Sequence, residues 1–278
     1  MPKNVLIVGD WSYLADGIDG RLFPLNVERV HYLDDIPRNS IKKFDTVINF
    51  GIQPDFSKRI LWVNELIDVQ LANVLQWTDT KLIMLSSRKV YWSHKNLDIL
   101  KESDQLSPTD FYSANKIKAE EELNNILPNQ HLTLRIANIL WLPTNRIWYK
   151  TFIGWISDSM RDKWHLYITE NPDTRKDFIS KEYFQNTLSE LVKQDVIWTI
   201  NLWSWFAMSL KELLWHICWE ENLIFADDLP EPRDQFILDN EKLLQYVKWF
   251  TYDELIQRCE ENKQIILSQS EWSKKWKR

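Results

Sequence analysis

The sequence predicts an α/β fold, a doubly wound parallel sheet followed by a smaller, mostly helical C-terminal substrate lobe. Three observations predict it. Apolar, β-branched runs recur along the first half, at 4–10, 28–35, 44–51, 80–87 and 131–140. Helix-like segments, Lys58 to Gln76 and Ser113 to Leu127, separate the last three. Past about residue 142 the strands thin out and helical stretches dominate. Strands that read apolar throughout are covered on both faces, which is the habit of a parallel sheet with helices above and below.

Each element has its own justification. "NVLIVGD" is a buried strand that stops at Gly9, with a helix expected after the turn. "ERVHYLDD" is the second strand, closed by Asp34. Only about ten residues join Asp34 to Asp45, so that crossover has room for a short helix or compact loop and no more. "FDTVINFG", "TKLIMLSS" and "HLTLRIANIL" complete the series. Downstream, "SKEYFQNTLSELVKQ", "MSLKELLWHIC" and "TYDELIQRCEENKQIIL" read as helices, and "DDLPEPRDQFILD" as a proline-bearing connector. The division is a Rossmann-type domain over 1–141 and a lobe over 142–278, interleaved at the boundary, with the ligand cleft between them.

Composition narrows the function. The chain has 278 residues, 44% hydrophobic and 27% charged, enough for a sizeable core. A net charge of −6 argues against a general nucleic-acid binder, and the terminal "KKWKR" reads as a solvated tail. Cys218 and Cys259 stand alone without metal-ligand spacing, so no metal site is expected and a reducing cytoplasm fits. No apolar stretch reaches the 18 residues of a membrane span, and no signal peptide precedes "NVLIVG".

The chemistry-bearing residues cluster at strand ends. "YSANK" puts Tyr112 and Lys116 at i, i+4 on one helix face. A Lys ammonium there favours the phenolate, which tunes a Tyr toward acid–base work near neutral pH. By itself the pair is also what a surface helix produces by chance. Ser87 ends a buried strand, where α/β folds place their ligand crevice, and its hydroxyl could share a substrate oxygen with the phenol. Gly9 closes the first strand, where a dinucleotide pyrophosphate would meet helix N-terminal amides. Asp34 is a candidate acceptor for adenosine ribose hydroxyls, with a strand-end turn residue as the equal alternative.

At these residues the chain resembles the extended short-chain dehydrogenase/reductases, the NAD-dependent epimerase/dehydratase family that acts on nucleotide sugars. Eight segments match in order: "VLIVGDWSYLA", "FDTVINFG", "SSRKVYW", "YSANKIKAEE", "LRIANILW", "RKDFIS", "NLWSW" and "ILDNEKL". The resemblance implies Ser87, Tyr112 and Lys116 as the catalytic trio. It implies a cofactor site lined by Gly9, Trp11, Ser12, Tyr13, Leu14, Asp34, Phe50 and Gly51, with Tyr112 and Lys116. It implies Asn138, Arg175, Lys176 and Arg233 at the nucleotide-sugar diphosphate, which cationic side chains would neutralise. It implies NAD(H) or NADP(H) as the cofactor, with Asp34 favouring NAD. Relatives commonly form homodimers through the Tyr-x-x-x-Lys helix and the helix before it. There are departures. Fingerprint glycines are replaced by Ser12 and Ala15, and Arg88-Lys89 follow Ser87 where 4,6-dehydratases carry Asp-Glu. Water elimination is therefore disfavoured, and epimerase or 4-keto-sugar reductase both stay open. The alternative from another class is a non-catalytic NAD(P)-binding regulator or redox sensor with the same fold.

One anomaly remains. Gly numbers 5 and Trp 16, where a chain this long ordinarily has about 19 glycines. Trp92, Trp141, Trp203 and Trp205 fall where the family has Gly, and Trp11, Trp77 and Trp164 where Gly is common. Trp219 and Trp249 stand at helix ends that favour a C′ glycine. "SKKWKR" also reads more naturally as a flexible tail, whereas Trp62 is a candidate authentic tryptophan. The expectation is that the source reads the UGA codon as glycine, so that the native chain carries glycine at many of these positions.

Overall fold

The computed structural model describes residues 3–31, 40–91, 98–140, 152–163 and 165–276. Six parallel strands form the main sheet: β1 (Asn4–Val8), β2 (Asn26–Val30), β3 (Thr46–Asn49), β4 (Lys81–Ser87), β6 (His131–Ile136) and β10 (Trp198–Leu202). Between β4 and β6 lies the short β5 (Asp98–Leu100). The spatial order is β10-β6-β4-β3-β1-β2, so the chain reverses direction across the sheet between β1 and β3. Ligands of open α/β sheets bind at such a reversal, beyond the strand C-termini.

Strand residues alternate between two cores, as the pleat requires. Val5 and Ile7 of β1, Ile83 and Leu85 of β4, and Leu132 and Leu134 of β6 join one core. Leu6, Val8, Leu82 and Met84 join the other. The first core is covered by α1 (Asp19–Leu22) and by α4 (Phe152–Lys163), α5 (Lys181–Lys193), α6 (Leu210–Ile217) and α7 (Tyr252–Trp276). The second is covered by α2 (Ile67–Leu75) and α3 (Phe111–Ile126). The remaining strands are small: β7 (Asn138–Leu140), β9 (Arg175–Ser180) and β11 (Ala207–Ser209) form one sheet, while β8 (Leu166–Ile168) pairs β12 (Leu223–Phe225) and β13 (Phe236–Leu238) pairs β5.

Three expectations change. The second strand runs 26–30, two residues earlier than read, because Asn26 and Val27 take the register opposite Asn4 and Val5. Asp34 lies outside the described residues, and His31 follows the end of β2. The helix expected after Gly9 is a series of tight turns leading to the four-residue α1, since Gly17 at φ +79° interrupts a helical path. In the segment 58–76, residues 58–62 are turn and irregular chain, a 3₁₀ turn follows at Val63–Glu65, and the helix α2 begins only at Ile67. Among the described residues of the brief crossover to β3, a 3₁₀ turn forms at Ile41–Lys43.

Among the described tryptophans, positive φ occurs at Trp198 (+97°) and Trp205 (+71°). Trp203 is fully buried without positive φ, and neither its Nε1 nor that of Trp205 finds a hydrogen-bond partner. Trp219 has φ −88°, so no left-handed C′ residue ends α6 there. Trp92, Trp141 and Trp164 lie outside the described residues.

Candidate active site

The site forms where β1, β3, β4 and β6 end. Gly9 (φ +82°) meets Gly51 so closely that a Cβ at Gly9 would lie 2.5 Å from the Gly51 nitrogen. Neither a side chain nor an ordinary φ is possible there. Asn49 Oδ1 accepts from Gly51 N at 2.9 Å, and Asn49 Nδ2 donates to Asp68 at 2.7 Å, which fixes the turn after β3.

Helix α3 is started by a reciprocal cap. Asp110 accepts from Ser113 N at 2.7 Å, and Ser113 Oγ accepts from Asp110 N at 3.1 Å. This sets Tyr112 in the first turn and Lys116 one turn later, on the face toward the sheet. The Tyr112 ring packs edge-on against Phe56 at 5.5 Å. Lys116 is buried, with Nζ 4.0 Å from Asp68 Oδ2 and 5.1 Å from the Phe56 ring centre. Asn115 ties the preceding loop to α3, accepting from Leu61 N at 2.9 Å and donating to Phe56 O and Arg59 O at 2.8 Å. Ser87 ends β4 and accepts from Lys89 N at 3.3 Å.

Behind this face a buried polar network holds α3 against the sheet. Glu120 receives a paired contact from Arg135 (2.7 Å to Oε2) and a hydrogen bond from Ser86 Oγ. Arg135 also donates to Tyr91 Oη at 2.8 Å, and Tyr91 donates to Asn201 at 2.7 Å. Burial pushes the Tyr91 phenol up to about 12, so it stays a donor.

Two cavities open here. One, of about 340 Å³, is lined by Trp11, Ser12, Tyr13, Leu14, Phe50 and Gly51 on one side and Ser87, Tyr112 and Lys116 on the other. The second, of about 540 Å³, shares Tyr13, Ser87 and Tyr112 and extends to Asn138, Glu170 and Lys176. Ser87, Tyr112 and Lys116 therefore share one cavity with the turn that follows β1. Asn138 donates to Asp177 O at 2.8 Å, and Lys176 pairs Glu170 at 2.5 Å. Arg175 is exposed and bonded to Ala207 O at 2.8 Å; it lines neither cavity, and neither does the exposed Arg233.

Sequence reading gave no binding role to Arg88, Lys89, Asp110 or Glu170, which line the larger cavity. Arg88 is buried, donating to Asp234 O at 3.0 Å and stacking over Phe236 at 4.3 Å. The signal for Arg88 and Lys89 was their place directly after Ser87; Glu170 had none.

A doubly wound α/β fold with a crevice at its chain reversal is the class these features define. No protein-family profile matches the chain. No curated protein sequence matches it either. Solved structures do. The UDP-N-acetylglucosamine 4-epimerase from Methanobrevibacter ruminantium M1, in complex with UDP-N-acetylmuramic acid, is 18% identical, covers 96% of this chain and 99% of its own, and superposes with a TM-score of 0.80. The dTDP-glucose 4,6-dehydratase from Bacillus anthracis, in complex with NAD, is 14% identical over 97% of this chain and 98% of its own, with a TM-score of 0.77. The dTDP-4-dehydrorhamnose reductase of Clostridium acetobutylicum is 14% identical over 95% and 99%, with a TM-score of 0.71. At these identities the likeness establishes the fold, end to end.

Proposed function

We propose that the chain is an NAD(P)-dependent enzyme that interconverts a hydroxyl and a ketone on a nucleotide sugar, as a 4-epimerase or a 4-keto-sugar reductase. The observation that carries this reading is the shared lining: Ser87, Tyr112 and Lys116 face the same cavity as the turn after β1. The Gly9–Gly51 approach is a cradle that a Cβ would fill, and a 340 Å³ cavity is within the ligand-binding range. These features fit a dinucleotide held by residues 11–14, Phe50 and Gly51. When bound, the nicotinamide supplies or accepts hydride.

Tyr112 exchanges the proton of the reacting hydroxyl. Ser87 donates to or accepts from the same oxygen and holds it in place. Lys116 sets its ammonium 6.0 Å from the centre of the phenol ring and binds the cofactor ribose. Asn138 and Lys176 lie along the larger cavity and face the diphosphate of the substrate, the chemistry a cation and an amide suit. That second cavity beside the trio favours an enzyme over a redox sensor, which needs no room for a second ligand. NAD(H) is the cofactor preferred, and the assembly is a homodimer in the cytoplasm.

The test is incubation with a panel of nucleotide sugars while following nicotinamide absorbance and sugar products. Tyr112→Phe is expected to lose roughly 10²–10⁴-fold in turnover with cofactor affinity nearly unchanged. Equal turnover in that variant overturns the mechanism, and cofactor binding without turnover on any sugar favours the sensor.

A further inference from the structure

Asp68 occupies a place on α2 that the core would ordinarily fill with an apolar side chain. Its helix neighbours Val69, Leu71, Ala72 and Leu75 are all packed in the core. The side chains of Asp68 and Lys116 are each 4% exposed. Burying a carboxylate is unfavourable unless it is paired, and leaving an ammonium alone beside it would be as unfavourable. Asp68 Oδ1 accepts from Asn49 Nδ2 at 2.7 Å, and Oδ2 lies 4.0 Å from Lys116 Nζ. Asn49 accepts in turn from Gly51 N, so a continuous set of contacts runs from the floor of the smaller cavity to Lys116.

The 4.0 Å separation is longer than a hydrogen bond. The attraction is coulombic, and the carboxylate does not consume the ammonium's three donors. Around Nζ the other groups are the rings of Phe56 at 5.1 Å and Tyr112 at 6.0 Å. Their faces attract a cation but do not fix its position. Asn49 from β3 and Ser86 and Ser87 from β4 are neutral neighbours along the same cavity. The titratable groups around Lys116 are Asp68 from α2, Tyr112 one turn before it and Glu120 one turn after it, and Glu120 is engaged by Arg135 and Ser86.

We propose that Asp68 is a positioning residue: its carboxylate is the counter-ion that pins the Lys116 ammonium beside the cavity and offsets part of its field at Tyr112. The proposal rests on the reading of Tyr112 as the acid–base group. A cation near a phenol favours the phenolate, and a carboxylate paired with that cation weakens the effect. Burial pushes the Asp68 carboxyl above its ordinary value, against the pull of Lys116 and Asn49.

Asp68→Asn keeps the size and an acceptor for Asn49 while removing the charge. Two measurements decide the matter. The acid-side midpoint of the kcat/KM profile is expected to move down by about one pH unit. The phenolate absorbance of Tyr112, taken as the difference between each protein and its Tyr112→Phe form, is expected to move the same way without any turnover. Asp68→Glu, which retains the charge, should keep the midpoint near that of the parent. If Asp68→Asn does not fold, Asp68→Ser serves in its place. Unmoved midpoints in a folded, neutral variant overturn the proposal. Absence of turnover in the parent protein defeats the catalytic reading alone, and the phenolate titration then decides the role of Asp68 by itself.

Discussion

Trp198 opens β10 at φ +97°, and its indole is 60% exposed. That backbone setting costs an L-residue about 1–3 kcal/mol and costs glycine almost nothing. Because the ring buries little, truncation forfeits little packing, so Trp198 is the cleanest place to ask whether the native residue is glycine. Trp205 poses the same question with φ +71° and a buried Nε1 that has no partner, but its ring stacks on Trp249 at 5.8 Å and deletion would open a gap. Trp203 is stricter still, since removing a wholly buried indole costs about 3–5 kcal/mol unless the surroundings close up. Trp198→Gly is therefore expected to raise the melting temperature by a few degrees, at about 2–4 °C per kcal/mol for a chain near this size. Unfolding curves of the two proteins check this, and sequencing the gene checks the cause. UGG codons at 198, 203 and 205 would end the idea that UGA is read as glycine.

Strand β9 is anchored to the turn after β10 through one carboxyl group. Asp177 is buried and accepts from Ser204 N at 3.3 Å and from Ser204 Oγ. Burial pushes its carboxyl up to about 7 from an ordinary 3.8, against the hydrogen bonds of Ser204 and the charge of Arg88. The folded chain thus keeps a proton that the unfolded chain releases above about pH 4. The resulting stability is complete below about pH 4 and is lost as pH rises through 7. Three units correspond to about 4 kcal/mol across that window. Asp177→Asn is expected to flatten the fall of unfolding free energy between pH 4 and 7, measured in urea, and an unchanged slope would assign the fall elsewhere. The pair was half legible: "RKDFIS" and "NLWSW" both stood out in the sequence, but nothing local shows that Asp177 and Ser204 meet. The same division runs through the fold. β1, β3, β4 and β6 were readable because strands covered on both faces are apolar throughout, and Tyr112 and Lys116 because i, i+4 spacing is local. β2 was misplaced because its exposed pattern fixes no register, and Asp68 and Arg88 were missed because their partners lie far along the chain.

Among the described residues no helix is long and apolar enough to cross a membrane. Residues 58–76 carry Ile60, Leu61, Val63, Leu66, Ile67 and Leu71, more apolar side chains than one core-facing stripe requires. Much of that surplus is used: Leu61, Leu66 and Leu71 are buried in the second core. Ile60, Trp62 and Val63 remain exposed, Trp62 at 76%. They are held rigidly, since Trp62 N donates to Glu65 at 2.7 Å and Lys118 of α3 donates to Leu61 O at 2.8 Å. A fixed apolar surface beside a helix pair is the kind that a second copy covers, whereas scattered single residues would need no explanation. Trp62 also has an ordinary φ of −68° and so gives no backbone reason to be glycine. The expected outcome is a dimer at micromolar concentration that uses α2, α3 and this segment. Replacing Trp62 and Val63 together with Glu should place like charges across the two-fold interface and shift the mass toward one chain, as sedimentation or light scattering would register. A parent protein with the mass of one chain would rule out the assembly, and a doubly substituted protein that stays dimeric would move the interface to another face.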